Sequence, residues 1–584
     1  MHEESPSCSA AQLRGSGDGE GRPSSTRVCD SCIRPGPAPG FKRASRSGSS
    51  PFRPRDPPGY QLNAPRFDNP EEEVLPDSPS TLTSADSLTQ LSDASNGTSV
   101  SPNLETGTQY SDSLDILPEE EECLLKKYFE TIHHAIPLFS EARLPYTVSE
   151  RGSGTSAQRR DLILTLVIMT AKLSGFVFAS DTFNLDACID QTLSSASLQE
   201  DMFGSSPTLD QFRKFCLLAF YEFHQFPGQQ AWMRIGKLVR MAYWMGLDRL
   251  DMLPTLSPDW STVDEDHLEH WRLVWWCVYR LDSYANLSVG TPYQIDEGIV
   301  GTALMQDREN DGPLGFRHED GAKPRLSLPY RPDGLMDLLP AIVSDSPHNS
   351  SFNLHIISAT AVRHVGRALR LYLLAPKEEP VSVVENAERR LSALRLGLPK
   401  NYFNPRRNAF MNESCSNHHA RLVTVLQLLM AQLLVTLVSC QCLPEGEDWL
   451  LNWQQVLEVC QDVAAIAKQW NSTFSLSVDP GISLISFVAL IFLDLHKKFA
   501  GVAGADLQSE IEHCETVLLL QLEQFACSWT MPGLLILSFK SFRESLKAPL
   551  LYRHIQFILS RFESPLHPRW LQFLSSAHVQ LENC

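Results

Sequence analysis

The stretch that decides the reading is Gln230–Asp296. It opens Q-A-W-M-R-I-G-K-L-V-R-M-A-Y-W-M-G-L (230–247) and crosses an acidic gap. It resumes as E-H-W-R-L-V-W-W-C-V-Y-R-L-D-S (269–283) and closes on V-G-T-P-Y-Q-I-D (289–296). In the first segment Trp232, Ile235, Val239 and Ala242 recur at helical spacing, with Arg234, Lys237 and Arg240 between them, which predicts an amphipathic helix. Gly236 and Ala242 are small enough to admit a neighbouring helix, and Gly246 is placed to end the helix in the left-handed conformation. In the second segment Trp271, Val274, Trp275, Val278, Leu281 and Ala285 form one wide apolar face with Asp282 at its edge. A carboxylate there needs a cation, because an unpaired buried charge is too costly to keep. Arg272, Arg280 or an arginine of the first helix is expected to supply it. Thr262-x-x-Glu265 reads as a capping box that starts the second helix. Periodicity alone therefore gives a buried helical hairpin and no activity.

The order of features says more. Ala231-Trp232, Gly246-Leu247, Arg272 with Trp275-Trp276, Leu281-Asp282, Gly290-Thr291-Pro292 and Asp296 come in that succession. The stretch thereby resembles the middle homology region, or regulatory domain, of fungal zinc-cluster transcription factors. Leu124-Leu125-Lys126-Lys127-Tyr128-Phe129, with His133 and Ile136-Pro137-Leu138-Phe139, is similar to that domain's opening. The resemblance runs from about Leu124 to Asp296. It implies an all-α regulatory domain built of helical hairpins, a nuclear location, and control of RNA polymerase II genes, often those of one pathway. It marks Trp232, Gly246, Arg272, Trp275, Asp282, Gly290 and Pro292 as the structural signature in this chain. It also implies DNA, a related regulator as homo- or heterodimer partner, and a small-molecule effector as the classes of partner.

Upstream lies Arg27-Val28-Cys29-Asp30-Ser31-Cys32-Ile33-Arg34. This resembles the opening of the same family's six-cysteine module, in which thiolates hold two zinc ions so that a short helix can enter the major groove. Cys29 and Cys32 would be its first two zinc ligands. The family's third cysteine falls on Pro39, and no cysteine follows before Cys123, so the cluster cannot close as written. A damaged gene and a wrongly spliced gene model give the same residues. Lys42, Arg43, Arg46, Arg53 and Arg55 among Pro and Gly read either as loose phosphate contacts or as a solvated basic tail.

Charge is distributed unevenly along the 584 residues. The total is 50 − 69 = −19, yet residues 1–66 hold ten Lys/Arg against six Asp/Glu. Residues 67–125 hold fourteen Asp/Glu and no Lys or Arg. A basic arm beside an acidic tract suits a regulator. Residues 1–117 are rich in Ser, Pro and Gly and are expected to be disordered, since they cannot bury enough apolar surface to offset chain entropy. Within them, 1–66 is the basic arm with the cluster remnant at 27–34, and 67–117 is an acidic linker or activation segment. Fourteen cysteines in no repeating frame fit free thiols in a reducing compartment rather than a disulfide scaffold.

Residues 118–584 read as the helical domain, with a subdomain break expected in the Pro- and Gly-marked loop 305–335. Helices are expected at Asp161–Leu173, Asp210–His224, Phe352–Leu374, Val384–Leu396, His419–Leu443, Trp449–Trp470, Ile482–Phe499, Leu507–Cys527 and Leu534–Leu546. Leu422–Pro444 carries no charge and is long enough to cross a bilayer. Its three glutamines and the lack of flanking aromatics favour a helix inside a large bundle over a membrane span. Asp264, Asp266, His267, Glu269 and His270 suggest a metal, but an acidic helix start explains them better. His133-His134 and His418-His419 read as partly buried or surface histidines. Gly152-Ser153-Gly154-Thr155 lacks the lysine and preceding strand of a phosphate-binding loop. No G-x-S-x-G, H-E-x-x-H or dinucleotide fingerprint is present, so no enzyme is indicated. The leading reading is a transcriptional regulator. The alternatives are a DNA-binding-deficient protein that dimerises with or sequesters a related factor, and a helical membrane-associated protein built on 422–444.

Overall fold

The 3.6-residue pattern becomes helix from Pro118 onward. The computed structural model describes residues 116–139, 157–180, 183–194, 207–306, 325–374, 380–407, 410, 413–500 and 504–581. Cys29, Cys32, the Gly152–Thr155 segment and residues 1–115 of the stretch 1–117 expected to be disordered lie outside these. The first half supplies α1 (Pro118–Glu130), α2 (Ala157–Ser174), α3 (Leu185–Leu193), α4 (Leu209–Gln225), α5 (Gln229–Trp244) and α6 (Glu265–Val289). The second supplies α7 (Leu335–Val343), α8 (Pro347–Leu374), α9 (Pro380–Gly397), α10 (Cys415–Cys442), α11 (Glu447–Ala467) and α12 (Ser483–Lys498). It ends with α13 (Ala505–Ala526), α14 (Thr530–Ser545), α15 (Tyr552–Leu559) and α16 (Pro568–Leu581). Among the described residues there is no strand, only the isolated bridges Ala303–Ser327 and Phe499–Leu550. The class is all-α.

Expected and observed helices differ mainly at their ends. Helix α8 begins at Pro347, five residues before the first expected apolar position, because a proline at the first turn starts a helix without needing its missing N–H. The expected loop 305–335 ends early, since Pro332–Gly334 already forms a helical turn that leads into α7. Helices α15 and α16 are short and set among proline and polar residues, which hid them from periodicity. The start of α6 differs too. Its N-cap is Asp264, whose side chain accepts from the His267 N–H at 2.7 Å; Thr262 instead closes the preceding turn Pro258–Ser261. Asp264 wins because its oxygen lies three residues before the N–H that needs a partner.

The hairpin α5–α6 packs against α4 on one side and α8 on the other. Helix α6 was expected to bury one face, yet every residue from Trp271 to Ser288 is buried. Trp275 and Trp276 are fully enclosed, and the Trp276 Nε1–H donates to the Ala303 carbonyl at 2.8 Å. Trp232, at the outer end of α5, is half-buried. Helices α10 to α14 then pack in sequence order, each against the next. Two helices, Cys415–Cys442 and Pro480–Lys498, are long and apolar enough to cross a membrane, but 89% and 94% of their apolar windows are buried by neighbouring helices. Helix α10 is thus a core helix, lying along α8 and α11. Ten cysteines are described and all are free. Burial pushes the thiols of Cys277 and Cys440 up to about 12, so they stay protonated.

Both hairpin helices stop on a left-handed glycine, Gly246 at φ 75° and Gly290 at φ 71°. At Gly290 the N–H bonds the Asn286 carbonyl at 2.8 Å, and a Cβ would stand 2.8 Å from Ser564 Oγ. Gly290→Ala therefore combines left-handed strain with a clash against the chain after α15. It is expected to cost about 1–3 kcal/mol, read as a lower urea midpoint at unchanged slope.

Candidate functional site

The site grows from one carboxylate. Asp282 is 0% exposed, and α6 delivers it under the loop that follows Gly290. It accepts from the Asn286 side-chain amide at 2.6 Å, from the Gln294 N–H at 3.2 Å and from the Ile295 N–H at 3.1 Å. Its counter-ion is Arg363 of α8, also 0% exposed, whose Nη1 donates to Asp282 Oδ2 at 2.9 Å. The same guanidinium donates to Ser283 Oγ at 3.1 Å and to the Ile295 carbonyl. It lies 4.5 Å from the Tyr279 ring centre and 4.3 Å from that of Tyr293, a cation in contact with two aromatic rings. Charge, hydrogen bonds and ring contacts together offset the desolvation of both ions.

None of the expected partners reaches Asp282, and helix geometry says why. Arg272 lies ten residues back on the same helix, about 15 Å along its axis. It binds Asp251 at 2.6 Å, Glu269 at 2.6 Å and Glu265 at 2.7 Å. Arg280 is two residues away and so points to another face. It donates to the Ala135 carbonyl at 2.9 Å and sits 3.4 Å from Asp479. On α5, Arg234 pairs with Glu222 and donates to the Leu193 carbonyl at 3.0 Å. Arg363 had a sequence signal: it is the first arginine after the apolar and small-residue run Phe352–Val362, on a helix whose other residues there call for burial, and a buried charge needs a partner.

The other signature residues assemble around this pair. Trp232 Nε1 donates to Asn286 Oδ1 at 3.3 Å, and Thr291 Oγ1 donates to the same oxygen at 2.6 Å, so Asn286 joins α5 and the loop to Asp282. Trp275 packs edge-on to Tyr243 at 5.9 Å, whose hydroxyl accepts from the Asp296 N–H at 3.2 Å. Gly236 does face a close neighbour, but it is the Gln294 side chain, 2.7 Å from where a Cβ would stand, and not a helix. Pro292 is exposed and turns the chain away after the glycine cap. Arg272 and Gly246 lie apart from the pair, one pinning the acidic gap and the other ending α5.

Next along the loop, Glu297 is 5% exposed and faces three basic side chains of α8: His364 Nε2 at 3.2 Å, Arg363 Nε at 3.5 Å and Arg367 Nη1 at 2.7 Å. Burial alone would raise its pKa. The His364 hydrogen bond and the Arg363 charge overcome this and hold it at about 2, against the ordinary 4.5. A second buried carboxylate, Asp479, ties α4 and α6 to the start of α12 through His224 at 3.3 Å and Arg280 at 3.4 Å. Of the paired histidines, His133, His418 and His419 are buried and His134 is exposed. His133 bonds the Phe139 carbonyl at 3.0 Å and is pushed by burial down to about 4, and His419 stacks on Phe474 at 4.0 Å. No group of His, Cys, Asp and Glu among the described residues is placed to hold a metal ion.

This arrangement holds a loop and a helix in one register and contains no nucleophile–base pair. Comparison with known proteins agrees with that kind of role. Residues 125–323 match the family model described as the fungal specific transcription factor domain. The match takes in the second half of α1, then α2 to α6, the Gly290 loop and Glu297. The chain is similar to the pigment biosynthesis transcriptional activator pigB of Monascus ruber, at 25% identity over 181 residues, 30% of this chain and 32% of that protein. It is also similar to the transcription factor tazR of Aspergillus terreus (strain NIH 2624 / FGSC A1156), at 26% over 181 residues, 30% of this chain and 27% of that protein. The chain spans about a third or less of the length of these curated relatives. Their names are those of transcription factors, not of enzymes.

Two outcomes test the clamp. Arg363→Met leaves a buried, unpaired Asp282 and is expected to cost about 3–5 kcal/mol, while combining it with Asp282→Asn recovers part of the loss in urea titrations. Because the folded pKa of Glu297 lies below its unfolded value, its stabilisation is full above about pH 4.5 and is lost as the pH falls towards 2. The urea midpoint of Glu297→Gln is accordingly expected to fall less steeply over that interval than that of the parent chain.

Proposed function

We propose that this chain is a fungal transcriptional regulator of RNA polymerase II genes, pathway-specific and acting in the nucleus, and that its helical body sets its activity. The observation that supports this best is a coincidence of place. The stretch matching the transcription factor domain contains the Trp232–Asn286–Asp282 relay, and that relay closes on Arg363, beyond the matched residues. The matched segment is therefore completed by the second half of the chain. Control by effector or partner would act on this packed unit. The names of the two relatives support the same class of function.

Contact with DNA is the finer part of the proposal. Cys29 and Cys32 would be two ligands of the family's zinc module, and Pro39 stands where the third belongs. Zinc in that module needs six thiolates to fix a reading helix. We therefore expect this polypeptide to depend on a DNA-bound partner or on a restored cluster for its address. The reading as a sequestering partner of a related factor finds no separate support among the described residues.

The test tethers the full chain to an unrelated DNA-binding domain in a fungal host. Expression of a reporter should change several-fold against the tether alone, with the fusion in the nucleus. A stable, nuclear fusion that leaves the reporter unmoved would defeat the proposal. In parallel, the untethered chain is expected to carry fewer than two zinc ions and to leave no footprint; two ions and a defined footprint would reverse the statement about DNA.

A further inference from the structure

Three helices leave a cleft of about 470 Å³ that no side chain fills. It lies between α7, α8 and α9, and His364 and Arg367, which hold Glu297 of the clamp loop, are among the α8 residues that line it. Small residues open it: Ala361 and Ala368 are seven apart on α8, and Ala387 faces them from α9. Its floor is the buried Val365, Leu391 and Leu394. Met336 and Leu371 stand at its mouth, 41% and 60% exposed, so apolar surface lines it from floor to rim. The volume falls in the range of sites for small organic ligands, which are mostly apolar with a few placed polar groups.

The polar groups here are predominantly cationic. Arg367, Arg389 and Arg390 line the cleft with one carboxylate, Asp333. Asp333 pairs with Arg390 at 2.5 Å. Arg389 is exposed and has no carboxylate within 4 Å among the described residues. Arg367 is engaged by Glu297 at 2.7 Å and lies 3.7 Å from Asp296, while Glu297 keeps its contacts to His364 and Arg363 if Arg367 turns towards the cleft. An apolar body with one anionic group would therefore find its surface and its counter-ion together.

We propose that this cleft binds an amphipathic organic carboxylate, its apolar part among Ala361, Ala368 and Ala387 and its carboxylate on Arg389 with Arg367 or Arg390. The proposal rests on the regulatory reading above and deepens it, since the bound anion competes with Glu297 for Arg367 and so reaches the loop that caps Asp282. A ligand that prefers one position of that loop shifts the population of the helical body towards it.

The experiment uses the purified full chain, with 1-naphthaleneacetate as probe and its uncharged isostere 1-naphthaleneacetamide as control, both by titration calorimetry. The carboxylate is expected to bind saturably and at least about fivefold more tightly than the amide, the size of one modest charge pair. Arg389→Glu, at an exposed position where folding is not at stake, should abolish that preference. Ala368→Phe should weaken both compounds by filling the space. Absence of saturable binding up to about 1 mM, equal binding of acid and amide, or indifference to Arg389→Glu each overturns the proposal. A tethered chain that moves the reporter while the purified chain ignores the probe removes the cleft and keeps the regulator. Probe binding sensitive to Arg389→Glu in a chain that is silent when tethered does the reverse.

Discussion

The structure depends on one ion pair that solvent cannot reach. Asp282 and Arg363 are each 0% exposed and 2.9 Å apart. A pair this deep adds little net stability, because desolvation consumes most of the Coulombic gain. What it supplies is a single permitted arrangement. Any slip of α6 against α8, or of the Gly290 loop against either, strands a charge in an apolar interior. The pair thus turns three packed segments, which would tolerate sliding if they were merely apolar, into one register. Tyr279 and Tyr293 add to the enclosure, each with its ring against the guanidinium.

Most of the helices were legible because their burial is one-sided and their period is 3.6. The need for an ion pair at Asp282 was legible as well, since the cost of a lone buried carboxylate is a matter of chemistry and not of fold. Its partner was not, because Arg363 is 81 residues away and the choice among arginines depends on tertiary packing. Distance along α6 could have removed Arg272, and direction could have removed Arg280. The start of α6 was misplaced for a different reason: Thr262 and Asp264 both offer side-chain oxygens, and only the geometry of the turn chooses between them. Gly236 signalled a close approach correctly, but a glycine does not say whether a helix or a glutamine side chain will use the space.

The long uncharged helix α10 shows why composition cannot separate a core helix from a membrane span. Both must be apolar on all sides. The difference lies in the polar residues the segment retains and what meets them. Gln427 donates to the Tyr284 hydroxyl at 2.7 Å and pairs with Ser358, and Gln441 donates to the Leu559 carbonyl at 2.7 Å. These bonds run to α6, α8 and α15, so each glutamine specifies a neighbour within the bundle. The polar residues of α10 do for it what Asp282 does for α6.

Basic side chains along α8 carry this logic outward. Arg363 serves the hairpin aspartate, His364 serves Glu297, and Arg367, one turn on, shares Glu297 while also facing the cleft. Glu297 lies two residues beyond Ile295, whose N–H and carbonyl meet Asp282 and Arg363. A change of charge at the cleft therefore needs to cross only one helical turn and two loop residues to reach the core pair. A buried pair with no tolerance for slippage is thus joined through Glu297 to a rim arginine, so the proposed anion would act on the loop at the point where the core pair fixes it.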